Sequence, residues 1–343
     1  MRYRQLGGTG LKVSVLSLGT ANFGASGNPD RAEAQKVIHR SLDVGINLID
    51  TNDVYSNGEA EEIVGIALKG RRDDIIVSTK FGSPTGPEVN RSGASRRWIM
   101  QAVESSLRRL QTDWIDIYHL HRFSPDCDLD ETLETLTDLV RQGKIRYFGS
   151  SSTSAPDIVE GQWISQRRNL GRFVSEQICY NLLSRGVERA ELATCQKYRI
   201  GVLVWSPLCA GWLSGGYRVG AELPRPLRSK IPIFSNLYDI GIPENQLKLQ
   251  AADRLAILAQ DAGLSLPDLA LAFSLNHPAV SSVILGPDGL AHLESALRAV
   301  DVVLSDDVLN EVDRIVPAGT TINPIDWGYV PPSLQPEALR RRH

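Results

Sequence analysis

The 343-residue chain is 42% hydrophobic, 22% charged and 6% aromatic, the make-up of a soluble globular protein. Lys and Arg number 37 against 40 Asp and Glu, and the formal charge of −3 gives no basis for nucleic acid or an anionic membrane as partner. No apolar run reaches the roughly 20 residues of a membrane helix, and the start lacks the apolar core and cleavage site of a signal peptide, so a cytoplasmic location is expected.

The first predicted element is a hairpin in "YRQLGGTGLKVS", with Gly7, Gly8 and Gly10 in its turn. Short β-branched runs follow at 13–18, 46–50, 75–79, 115–119, 145–149, 174–178, 201–205 and 282–285. Most are apolar on both faces, as strands buried inside a parallel sheet are. Amphipathic segments alternate with them. Residues 95–111 carry Ile99, Val103, Leu107 and Leu110 on one stripe, and 130–144 do the same with Leu133, Leu136 and Val140 ahead of a C-capping Gly143. Eight such units without a linker predict an α/β fold, a single (β/α)8 TIM barrel over residues 1–343, in preference to an open doubly wound sheet. Two additions exceed the repeat. Residues 206–281 hold "LPRPLRSKIPIF" and two extra helices, 246–261 and 266–276, before the last strand. Beyond the eighth unit come a helix near 306–315 and a Pro-rich C-terminal tail, 316–343, placed to roof the barrel mouth where such folds carry their sites.

Four polar side chains fall at successive strand ends. "NLIDTNDVYSNG" puts Asp50 at the end of the second strand and Tyr55 just beyond it; "IIVSTKFG" puts Lys80 at the third, and "IDIYHLHRF" puts His121 at the fourth. Singly, each has an ordinary reading: a helix cap, a structural ion pair, a rim aromatic, a polar strand end. Together they make a chemical set. A buried lysine paired with an aspartate places positive charge beside a phenol, which favours the phenolate and lets the hydroxyl exchange a proton with a carbonyl or alcohol oxygen. A neutral histidine can orient the same oxygen. The set suits hydride transfer to a carbonyl beside a reduced nicotinamide.

The chain resembles the aldo-keto reductases over nearly its whole length. The matching stretches are "LGGTGLKVSVLSLGTANFG", "NLIDTNDVYSNGEAEEIVG", "IIVSTKFG", "AVESSLRRLQTDWIDIYHLHR", "LVRQGKIRYFGSSS", "EQICYNLLSR", "VLVWSPLCAGWLSGG" and "SSVILGP". The resemblance implies a catalytic tetrad of Asp50, Tyr55, Lys80 and His121, with Tyr55 the proton donor. It also implies NADP(H) or NAD(H) lying across the barrel mouth without a Rossmann fingerprint. Ser151, Ser152 and Gln177 would then hold the nicotinamide carboxamide, with Trp205 stacked under the ring. Leu208, Gly211 and Ser214, in the loop "SPLCAGWLSGG", would approach the pyrophosphate.

The departure is at the adenosine end. "GPDGLAHLESAL" places Asp288 where many members carry Arg, and Ala296 where Asn is usual. The family leans to NADPH, whereas a carboxylate repels a 2′-phosphate and accepts from a free ribose 2′-OH, which leans to NADH. Both cofactors therefore stay open. Arg225, Arg228 and Lys230 are candidates for supplying the missing positive charge. Phe23, Tyr55, Trp212, Arg122 with its loop to Pro125, Trp327 and Tyr329 are the expected substrate walls, facing a carbonyl (aldehyde, ketone or sugar) or its alcohol.

Three rival classes carry less of the pattern. His119 and His121 form an H-x-H on one strand, which in a metal-dependent barrel hydrolase would need further ligands, and the other histidines fall on helices, loops or the tail. Cys127, Cys179, Cys195 and Cys209 lack the spacing of a zinc site or a disulfide framework. A glycosidase using Asp50 and Asp53 leaves Lys80 without a role. A cofactor-binding regulatory or sensor subunit with slow turnover keeps the same tetrad and is separated only by rate.

Overall fold

The computed structural model describes residues 1–328 apart from 29, 124–126, 225, 227–228 and 230–231. An antiparallel hairpin of β1 (Tyr3–Gln5) and β2 (Lys12–Ser14) comes first. Eight parallel strands then close a barrel: β3 (Leu16–Gly19), β4 (Leu48–Asp50), β5 (Ile76–Phe81), β6 (Ile115–Leu120), β7 (Ile145–Ser151), β8 (Ser175–Cys179), β9 (Gly201–Trp205) and β10 (Val280–Leu285). They pair in chain order, and β10 returns to β3, aligning Leu285 with Leu18. Helices α1 (Arg31–Asp43), α2 (Glu59–Ala67), α3 (Arg96–Leu110), α4 (Leu129–Arg141), α5 (Ala155–Arg168) and α6 (Glu191–Tyr198) follow β4's predecessor through β8 in turn. The two extra helices, α7 (Pro243–Asp261) and α8 (Leu266–Asn276), precede β10, and α9 (Leu290–Leu297) and α10 (Asp306–Ile315) follow it. The barrel, hairpin and added helices are those expected.

Local chemistry sets the helix ends. Ser95 accepts from the Trp98 amide at the start of α3, and Asp128 accepts from the Asp130 amide at the start of α4. Gly143, at φ +75°, closes α4 in the left-handed conformation expected of a C-terminal glycine. Among the described residues, no single helix is long and apolar enough to cross a membrane.

One predicted strand divides. The run 13–18 breaks at Val15, so its first half belongs to the hairpin and its second to the barrel. The Ser14 hydroxyl donates to the Leu16 carbonyl at 2.6 Å, while the Ser14 amide donates to Asn47 Oδ1 at 2.7 Å, which turns the chain at that point. Leu6 and Val13 from the hairpin pack with Leu48, Ile76, Ile117, Leu203 and Ile284 inside the barrel. This apolar plug closes the N-terminal end. Polar side chains inside the barrel therefore lie toward the opposite mouth.

The tail is tied to that mouth as far as residue 328. The Arg185 amide donates to the Thr320 carbonyl at 2.7 Å and the Ile322 amide to the Leu183 carbonyl at 3.0 Å, pairing the tail with the loop after β8. Lys248 of α7 and Asp326 form a buried ion pair at 2.7 Å. Tyr329 and the rest of the tail, like Pro125, Arg225, Arg228 and Lys230, lie outside the described residues.

Candidate active site

Asp50 ends β4 and Lys80 stands one position before the end of β5, both almost fully buried. Lys80 Nζ donates to Asp50 Oδ2 at 2.6 Å and to the Thr51 carbonyl at 2.9 Å. The other carboxylate oxygen, Oδ1, accepts from Ser78 Oγ at 2.9 Å and Gln177 Nε2 at 2.6 Å. Burial by itself disfavours the ammonium; the Asp50 carboxylate, with Tyr55, outweighs it and holds Lys80 above the usual lysine value. The site thus keeps a fixed positive charge in a desolvated position. Isolated buried charges are costly, and here each has a partner and further hydrogen bonds.

Tyr55 opens the turn after β4, and its ring lies 5.2 Å from Lys80 Nζ. The turn is built from three left-handed residues in a row, Ser56, Asn57 and Gly58, at φ +48°, +55° and +92°. Such strain persists only where the surroundings enforce it. Ser56 Oγ donates to the Phe23 carbonyl at 2.7 Å, and a Cβ at Gly58 would stand 2.7 Å from Arg109 Cδ. Packing therefore clamps the turn that carries the tyrosine.

His121 follows β6, and its Nδ1 lies 3.0 Å from Asn52 Nδ2 and 2.8 Å from Ser83 Oγ. The Asn52 side-chain oxygen Oδ1 is occupied by the Val54 amide at 3.2 Å, so its NH2 group is the part turned to His121. An amide nitrogen can only donate. Nδ1 is then an acceptor, which leaves the proton on Nε2. Burial, then Arg122, Lys80 and His119, push the His121 pKa well below the usual value, so the ring is neutral.

The remaining predicted residues divide into two groups. At the mouth stand Ser151, next to Gln177 in register across β7 and β8, and Ser152, whose Oγ accepts from Arg122 at 2.8 Å. Trp205 ends β9. The loop beyond it places Cys209, Ala210 and Gly211 at φ +49°, +52° and +98°. Amides of that loop, including those of Gly211 and Ser214, bond to the loop's own carbonyls, with Leu208 accepting from Gly211 at 2.9 Å. Asp288, between β10 and α9, is exposed and accepts from Asn22 Nδ2 at 2.7 Å. Trp327 is half-buried near Gly186.

Two predicted substrate walls are corrected. Trp212 is fully buried, stacked on Tyr217 at 4.2 Å and donating to the Leu237 carbonyl at 3.0 Å, with Lys248 Nζ 4.4 Å from its ring. Phe23 is also buried, 1% exposed, within the main apolar core. Neither ring presents a face to solvent. His119 departs from the metal-ligand reading, because both ring nitrogens are engaged by serines, Ser78 at 3.1 Å and Ser175 at 2.8 Å.

The sequence reading did not single out Asn52, Ser78 and Ser83, although Asn52 and Ser78 each stand two positions from a predicted tetrad residue. It also gave Asp53 no part in the favoured site. Asp53 is 4% exposed and neither carboxyl oxygen has a hydrogen-bond partner. Burial, reinforced by Glu61, pushes its pKa up to about 8 despite Arg109 and Lys80. A cavity of about 230 Å³ opens beside it, with Asn57, Thr85, Trp98, Gln101 and Arg109 in its wall.

Comparison with known proteins adds to this geometry. The profile described as "Aldo/keto reductase family" matches residues 15–317. A probable voltage-gated potassium channel subunit beta from Arabidopsis thaliana is 35% identical over 92% of the chain and 97% of its own length. The protein of the same description from Oryza sativa subsp. japonica is also 35% identical, with the same coverage. A putative voltage-gated potassium channel subunit beta from Schizosaccharomyces pombe is 32% identical over 92% of the chain and 93% of its own length.

Proposed function

Because the chain belongs to the aldo/keto reductase family, we propose that it is an NAD(P)(H)-dependent oxidoreductase interconverting a carbonyl and an alcohol. The observation that carries this reading is the buried Lys80–Asp50 pair, closed at 2.6 Å beneath the Tyr55 ring. A lysine held as the ammonium stabilises negative charge developing on the tyrosine oxygen as its proton leaves. His121 offers its Nε2–H to the substrate oxygen and fixes where the proton arrives. When bound, the reduced nicotinamide supplies a hydride to the carbonyl carbon.

The strand ends fit such a cofactor. Ser151, Ser152 and Gln177 offer hydrogen-bonding groups on the β7–β8 side, and Trp205 offers an aromatic face. A Cβ added at Gly211 would meet nothing within 4 Å, so this rim is open to a neighbouring group. Gln177 Nε2 is already engaged with Asp50, and its carbonyl oxygen is the end assigned to a carboxamide N–H. The amides of Gly211 and Ser214 are spent on internal turns, so these two would meet a pyrophosphate by sharing those bonds, with Leu208 beside them.

Titration with NADPH and NADH, followed by tryptophan fluorescence, tests the cofactor site. Saturable quenching through Trp205 is expected; no binding of either dinucleotide, reduced or oxidised, refutes the proposal. Asp288→Arg is expected to shift the ratio of the two affinities toward NADPH by roughly ten-fold, the worth of about one charge-assisted contact. An unchanged ratio places Asp288 away from the ribose.

The relatives' descriptions as potassium channel beta subunits favour a second reading, a channel-associated subunit; with the same tetrad, such a subunit would hold the cofactor and turn over slowly. Steady-state rates with good aldehyde and ketone substrates separate the two. Turnover of many cycles per minute supports the reductase, and a single slow cycle supports the subunit.

A further inference from the structure

His119 is fully buried between the apolar plug and the mouth, and the chemistry proposed above leaves it without a part. It pairs in register with Lys80 on one side and Gly149 on the other. The glycine makes room for the ring: a Cβ there would stand 2.7 Å from His119 Cδ2. Ser175 of β8 reaches the same space and meets Nε2 at 2.8 Å, while Ser78 of β5 meets Nδ1 at 3.1 Å.

The direction of each hydrogen bond follows from its far end. The Asp50 carboxylate can only accept, so the single hydroxyl proton of Ser78 is donated to Asp50 Oδ1. Ser78 Oγ must then accept from His119, which places the ring proton on Nδ1. Nε2 becomes an acceptor and takes the Ser175 hydroxyl proton. The result is a one-way chain, Ser175 to His119 to Ser78 to Asp50, ending on the carboxylate that holds Lys80.

We propose that His119 is a positioning residue, which fixes Ser78 as a donor to Asp50 and so holds the Asp50–Lys80 pair in register under Tyr55. Bonds in such a chain polarise one another, and the last one, to a charged acceptor, is the strongest. Burial and the nearby Lys80 keep the imidazole neutral, so the chain does not rearrange by protonation. The tautomer is opposite to that of His121, two residues on, whose proton is on Nε2. His119 in β6 and His121 just beyond it thus carry the two neutral forms of the same side chain.

This inference rests on the reductase reading, and its test has a part independent of turnover. Imidazole ¹⁵N NMR of the whole protein is expected to show His119 as the Nδ1–H tautomer, without titration between about pH 5 and 9. A predominant Nε2–H form, or an ordinary titration, overturns the chain whatever the activity. In kinetics, His119→Leu and Ser78→Ala are each expected to lower kcat roughly ten-fold or more, with NADPH affinity within about two-fold. The double variant is expected to be no slower than either, because both break one chain. His119→Asn keeps a donor toward Ser78 and is expected to recover most of the rate. If His119→Leu folds poorly, Ser78→Ala and His119→Asn carry the kinetic test. Variants as fast as the parent sink the positioning role and leave Tyr55 untouched, whereas a Tyr55→Phe enzyme at full rate sinks the reading beneath it.

Discussion

Tyr55→Phe is expected to lose about a hundred- to ten-thousand-fold in turnover, the contribution of one positioned acid–base group, or about 3–5 kcal/mol of barrier. Cofactor affinity is expected to stay within about two-fold, since the hydroxyl is assigned to the substrate oxygen. The size of the effect follows from where the charge sits. Lys80 cannot leave, because Asp50 and the Thr51 carbonyl both hold its Nζ. It also has little water to screen it. A phenylalanine retains the ring over the ammonium and removes only the hydroxyl, while Asp50 and Thr51 still hold Lys80, so folding is expected to be preserved. Stopped-flow turnover across pH, beside a cofactor titration, reads both quantities. Near-parental rates at every pH would mean that another group is the acid.

The barrel interior explains how so many polar groups are tolerated in one place. The hairpin plug seals the far end, so the polar layer of Ser78, His119, Ser175, Asp50, Lys80 and Gln177 is reached only from the mouth. Each member has a partner in the next, as buried polar networks require. Such a network gives Asp50 and Lys80 a fixed geometry before any ligand arrives, which is the preorganisation the proposed chemistry would draw on.

Much of this was legible in the sequence because strand ends are a local property. Asp50, Lys80 and His121 close apolar runs whose period is plain, and a parallel barrel brings such ends to one face. Burial of an aromatic is not local. Trp212 reads as a loop residue near the mouth, and it is covered by Tyr217 and by Lys248 of α7, whose partner Asp326 comes from the tail. Phe23 was misread for the same reason. The break at Val15 depends on Asn47, thirty-two residues away, and no periodicity announces it. The turn that follows Asp53 places three residues in a row in the left-handed conformation, which Asn57 and Gly58 signal in advance and Ser56 does not.

Asp53→Asn is expected to stabilise the fold by about 2–4 kcal/mol at pH 7, an unusual sign for a change beside an active site. The unfolded carboxyl ionises near its ordinary value, about 3.9, whereas the folded one keeps its proton up to about 8. Below about pH 4 both states are protonated and the group is neutral for stability. As pH rises from there to about 8, only the unfolded state loses the proton, and the fold loses about 1.4 kcal/mol per unit. Above that the folded group ionises too and the loss stays at its maximum. Asparagine cannot ionise; its NH2 replaces the single O–H of the protonated acid at a site without hydrogen-bond partners, and that cost sets the lower end of the range. Glu176, pushed up to about 8 by burial, contributes a slope of the same sign, so the variant keeps part of the pH dependence. His119, His121 and His277, all lowered chiefly by burial, act in the opposite sense, fading out by about pH 7.5. The difference between parent and variant in denaturant titrations at about pH 6.5 and 7.5 cancels the histidines and Glu176, and the variant is expected to lose about one proton from the slope. An unchanged slope would mean that Asp53 is ionised in the folded protein, with Arg109 or Lys80 supplying the charge that holds it there.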